Sequence, residues 1–144
     1  MGWRSLLLVG LVGLATTGLA ADEKPPRVPA DMARQHVGKK VEVVFLVQAA
    51  KHSVKRKTVY LDSTKNFQDE QNLGVAISEQ GIAELAQKGI SAPADHFRDK
   101  TIRVTGVVSL EDNRVYIKVD KADQIDLHDP ATESQPAPVK SRKS

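Results

Sequence analysis

Apolar and polar residues alternate along the middle of this chain in short runs with the two-residue period of strands. Val41, Val43, Phe45 and Val47 share one face of residues 41–47. Val44 and Leu46 make the other face partly apolar, which predicts a strand covered on both sides for part of its length. Residues 58–62 (TVYLD) and 73–78 (LGVAIS) read as the second and third strands, and 101–109 (TIRVTGVVS) and 115–119 (VYIKV) as the fourth and fifth. Glu111-Asp112-Asn113 supplies hairpin chemistry between the last two. An extended piece over 124–127 brings Ile125 and Leu127 inward to close the pattern.

Helical signals are fewer. Residues 29–38 predict a short helix, with Pro29 near its first turn and Gly38 just past its end. Ser78 is placed to cap a helix over 79–88 with Ile82, Leu85 and Ala86 as its apolar stripe, and Gly89-Ile90 forms a Schellman-like stop. Residues 91–93 read as a loop leading to Phe97. The order is three strands, a helix, two strands and a closing segment. It predicts a mainly β domain, a five-stranded Greek-key barrel of the OB-fold type with a helix between strands three and four. Nothing in the spacing calls for crossover helices between parallel strands, so a doubly wound sheet is disfavoured.

The two ends differ from the middle. Arg4, the apolar run 6–15 and the small residues of Gly18-Leu19-Ala20 have the layout of a cleavable signal peptide over 1–20. The apolar run is too short to serve as a stable span, and no cysteine follows it for lipid attachment. Residues 21–29 read as a polar spacer, 30–128 as the domain and 129–144 as a disordered tail rich in Pro, Ser, Thr and Lys. Export to the periplasm or the medium is the expectation.

Composition then removes several function classes. The chain has no cysteine, which excludes disulfides, thiolate metal sites and a cysteine nucleophile. Loss of Arg4 with the signal peptide lowers the net charge from +3 to +2, and the basic tail accounts for more than that excess. The domain itself is close to neutral, unlike a protein that coats nucleic acid by charge alone.

Certain strand motifs resemble a known group. Val37-Gly38-Lys39-Lys40-Val41-Glu42-Val43, then 100–108 (KTIRVTGVV) and 115–119, resemble exported bacterial OB-fold proteins, including nucleic-acid-binding-like OB domains and the periplasmic bacterial OB-fold family. The likeness covers most of 31–127 and concerns barrel strands rather than a ligand. The group often carries a glycine in the middle of the first strand, where Phe45 stands here, whereas Gly106 keeps the one in the fourth. The resemblance implies an OB barrel that binds a polymer or a partner.

No catalytic constellation is visible, and neither a cofactor nor a metal is implied. His36, His52, His96 and His128 are dispersed without ligand spacing. The adjacent acids Asp69-Glu70 and Glu111-Asp112 fall in loops. A thermonuclease-like reading would require a calcium-binding acidic cluster with converging arginines; Asp62 and Arg103 alone do not supply it. The best candidate is a basic loop over 51–57 with Lys51, His52, Lys55, Arg56 and Lys57, beside Tyr60. OB domains bind oligonucleotides and oligosaccharides on strands two and three and the loop before them. Tyr60 and Tyr116 are out of phase with their apolar neighbours and point outward, and Phe67 is a loop-tip contact. The expected ligand is a polyanion, either nucleic acid or an anionic glycan. The alternative is an envelope interaction or stress-response protein, with no nucleic-acid role, whose free strand edge pairs with another protein.

Overall fold

The structure, a computed structural model, describes residues 24–130; the expected signal peptide and almost all of the expected tail lie outside them. Among the described residues, the strands are β1 (Lys40–Leu46), β2 (Ala49–Ser53), β3 (Thr58–Asp62), β4 (Leu73–Ile77), β5 (Thr101–Glu111), β6 (Arg114–Val119) and β7 (Ile125–Leu127). They are accompanied by helices α1 (Glu79–Gln87) and α2 (Pro93–Phe97) and by short 3-10 helices at Ala30–His36 and Ala122–Gln124.

Hydrogen-bonded neighbours run β1-β5-β6-β4-β3-β2, with β7 beside β5. Every pair is antiparallel except β4 with β6. The two ends of this path, β1 and β2, are consecutive in the chain and separated only by Val47 and Gln48. The fold is mainly β and OB-like. A parallel pair needs a long connection, and here it contains α1, α2 and β5.

Strand alternation builds the core directly. Val41, Val43 and Phe45 of β1 face Val59 and Leu61 of β3, Leu73, Val75 and Ile77 of β4, and the inward residues of β5 and β6 within one buried cluster. Burial of each such side chain contributes about 1.5–3 kcal/mol against chain entropy. β5 changes partners along its length, pairing with β1 up to Val107 and with β6 from Val108. Gly106 lies at this handover, and an added Cβ would come within 2.7 Å of Ile117 Cγ2. Gln124 spans the gap by donating from Nε2 to the carbonyls of Thr105 and Lys118, both at 3.0 Å.

Several expectations change. The five strands become seven, because a strand occupies Ala49–Ser53 and residues 125–127 pair as a strand with β5. Lys51 and His52 therefore belong to β2 rather than a loop. The sequence AAKHS hides this strand because it pairs only with β3 and buries no residue fully, so no apolar alternation is required of it. The first predicted helix is a 3-10 helix, and an unpredicted helix, α2, begins at Pro93, the last residue of the expected 91–93 loop. Pro93 opens α2, and Phe97 is fully buried. Ala86 is exposed, so the buried stripe of α1 is narrower than expected. Leu46 is also exposed, so the outer face of β1 is not covered there. Within the expected spacer, Val28 is buried and its N–H donates to the Glu42 carbonyl at 2.9 Å.

The capping chemistry follows the sequence closely. Ser78 Oγ accepts from the Gly81 N–H at 3.2 Å and donates to the Val119 carbonyl at 3.3 Å, joining α1 to β6. At the other end, the Ile90 N–H donates to the Leu85 carbonyl and the Gly89 N–H to that of Ala86, the paired bonds of a Schellman stop.

Candidate binding face on β3, β4 and β6

The outward residues of four adjacent strands, β2, β3, β4 and β6, form two rows. Register places Lys51, Tyr60, Ala76 and Lys118 in one row, and Asp62, Gly74 and Tyr116 in the next. Strand β4 contributes only Ala76 and Gly74, while Tyr60 and Tyr116 rise on either side of it. Small residues between large ones make this face concave.

The depression has two overlapping ends that share Arg56, Tyr60, Arg114 and Tyr116. The larger, about 550 Å³, is bordered also by Glu111, Asp112, Lys118 and Asp120. The smaller, about 340 Å³, adds Lys51, Ser53, Asp62 and Phe67. One end is therefore basic and aromatic, and the other carries most of the acids. Lys118 is engaged by Glu111 at 2.9 Å, and that hydrogen bond raises its pKa.

The rings are fixed by their surroundings. Tyr60 and Tyr116 have centroids 6.1 Å apart and planes tilted by 55°, a tilted contact rather than a parallel stack on each other. The Arg114 guanidinium lies 4.4 Å from the Phe67 ring centre in a cation–π contact. Hydrogen bonding to Tyr60 raises the Arg56 pKa above its already high ordinary value, so this charge persists at any working pH. The hairpin bearing Arg114 turns through Asp112 and Asn113, both with positive φ, as a two-residue I′ turn requires. Arg34 braces that turn from Nη2 to the Asn113 carbonyl at 2.8 Å.

Asp62 sits at the floor of the basic end and is 9 % exposed. Asn72 Nδ2 donates to its Oδ1 at 2.9 Å. Asn72 also accepts through Oδ1 from the Thr64 N–H at 3.0 Å, anchoring the 63–72 loop that carries Phe67. Burial pushes the Asp62 pKa up, while Asn72 and the nearby Arg114 charge pull it back.

Of the residues expected from sequence, Lys51, Arg56, Tyr60, Phe67 and Tyr116 come together at the smaller end. Lys55 and Lys57 border neither end; Lys57 lies in the exposed turn, 3.8 Å from Glu79. Sequence reasoning misses Arg114 and gives Asp62 no binding role. Each lies two residues from an outward tyrosine on its strand, so the alternation that marks Tyr60 and Tyr116 marks them equally. Arg103 is paired with Asp126 at 3.1 Å and borders neither end, so it does not converge with Asp62. Among the described residues there is no cluster of His, Asp or Glu able to hold a metal ion, and no helix is long and apolar enough to cross a membrane.

No family model and no curated protein matches the chain. The resemblance to exported OB-fold families therefore rests on the strand motifs alone. Solved structures with a related arrangement include a protein assigned as an aspartyl-tRNA synthetase from Leishmania major Friedlin, at 13% identity and a TM-score of 0.48, covering 78% of this chain and 23% of that one. Asparaginyl-tRNA synthetase from Pyrococcus horikoshii aligns at 14% identity and a TM-score of 0.46, over 72% of this chain and 25% of that one. The S. pombe Stn1–Ten1 complex contributes a match at 16% identity and a TM-score of 0.45, over 65% and 62%. The chain thus spans about a quarter of each synthetase.

Proposed function

We propose that this protein is a non-enzymatic binding module that holds single-stranded nucleic acid across β3, β4 and β6. The observation that carries the reading is the convergence of Tyr60, Tyr116, Arg56 and Arg114 on one concave face. Aromatic rings take unpaired bases by stacking, and the flanking cations take the phosphates. In this reading β1 and β2 form one bent strand, making the domain a five-stranded OB barrel with α1 between its third and fourth strands.

Stacking favours bases over a glycan as the bound units, because Tyr60 and Tyr116 border both ends of the groove. Glu111, Asp112 and Asp120 repel any polyanion at the far end, so favourable phosphate contacts are confined to Lys51, Arg56 and Arg114. Ring stacking can supply affinity without many phosphate contacts. The protein-partner alternative is weakened by two covered edges: Arg98 Nη2 donates to the Ala50 carbonyl on β2 at 3.1 Å, and Val28 pairs against β1.

Fluorescence anisotropy with a labelled single-stranded oligonucleotide tests the reading. Tyr60→Ala and Tyr116→Ala should each weaken binding roughly 5- to 150-fold, the usual range for one stacked base. Tighter binding to heparin than to the oligonucleotide, unaffected by either substitution, would reject it. Export through residues 1–20 belongs to the same proposal, and N-terminal sequencing of the mature protein should begin at Ala21.

A further inference from the structure

We infer that Asp62 is a specificity residue that accepts a hydrogen bond from the exocyclic amino group of a base seated against Tyr116. The inference rests on the single-strand reading of this face and names the class of base it prefers.

Three observations lead to it. Asp62 is more than nine-tenths buried yet borders the basic end of the groove. Only Oδ1 receives a hydrogen bond from the described residues, from Asn72, so Oδ2 keeps its acceptor capacity. A Cβ built on Gly74 would meet the Tyr116 ring at Cδ1 and Cε1, each at 2.9 Å, and Asp62 Oδ1 at 3.3 Å. The absence of a side chain on β4 thus brings ring and carboxylate side by side.

A carboxylate at this position repels phosphate, so tracking the backbone does not account for it. It suits an N–H donor on a base edge, and carboxylates accept from the amino group of cytosine. Uracil and thymine present a carbonyl at that position and would set oxygen against oxygen. Arg114 partly balances the buried charge and leaves Asp62 an acceptor for a neutral donor.

Binding of the full chain to labelled oligo-dC and oligo-dT of equal length tests this. The wild type should prefer oligo-dC by about tenfold, the discrimination expected for one well-made base contact. Asp62→Asn can still accept from Asn72 through its own oxygen and would turn an N–H donor toward the base. It should bring the ratio to about one or invert it. Tyr116→Ala should weaken both oligonucleotides alike, and circular dichroism melts of each variant check that the fold is kept. Equal wild-type affinities, or an oligo-dC preference that survives Asp62→Asn, would overturn this inference alone. Absence of binding to both would overturn the reading of the face and this inference with it.

Discussion

Tyr116 occupies the space that a side chain at Gly74 would fill: an added Cβ would stand 2.9 Å from both Cδ1 and Cε1 of its ring. The two residues are register partners across the parallel β4–β6 pair. The ring is thereby held low over the middle strand, and the groove depends on that strand remaining small. Gly74→Ala should displace the ring, cost about 1–3 kcal/mol as an overpacking change, and weaken oligonucleotide binding. Urea unfolding and anisotropy on the same preparation measure both effects.

Salt dependence separates the cations that border the groove from those that do not. If Lys51, Arg56 and Arg114 each meet a phosphate, log K against log salt should have a slope of about −2 for single strands. Arg56→Ala or Arg114→Ala should reduce the magnitude of that slope by about 0.7. Lys55→Ala should leave it unchanged, because Lys55 borders neither end of the groove.

Asp62 makes a pH-dependent contribution to stability whose sign follows from its raised pKa. The folded state holds this proton more tightly than the unfolded chain, so its contribution is most favourable below the unfolded value of 3.8 and is lost as pH rises through the folded one. Above that window the buried ionised group costs stability. Asp62→Asn should therefore raise Tm at neutral pH relative to wild type, with the gain fading toward the acid side of the window. Thermal melts across an acid-to-neutral pH series measure the difference.

Ser78 joins α1 to β6, so its removal should be felt beyond the helix. Ser78→Ala should destabilise the domain by about 1 kcal/mol through the lost cap. Calorimetry gives the size, and amide exchange at Gly81 should quicken because its N–H loses its acceptor.

Much of the fold is legible in the sequence because burial imposes it. Val41, Val43, Phe45, Val59, Leu61, Ile117 and Val119 recur at every second position of their strands, and each is buried in the structure. β2 escapes because it is only partly covered and therefore carries no apolar signature. α2 escapes because five residues are too few for a period to show. The aromatic and basic residues of the face are visible one at a time. Their meeting is not, since it depends on a parallel pairing that no local pattern encodes. Arg114 follows a turn, and its place beside the rings depends on Phe67, which reaches its guanidinium from the 63–72 loop.

The parallel β4–β6 pair has one consequence for how the face comes into being. Tyr60 lies on a hairpin completed early in the chain, and Tyr116 on a hairpin near its end. Neither hairpin contains a groove. The two walls meet only when these distant segments are brought together, a slow kind of closure for a polypeptide. Ligand capture should thus be the last property gained on refolding, and a truncated chain ending before β5 should hold one wall with nothing facing it.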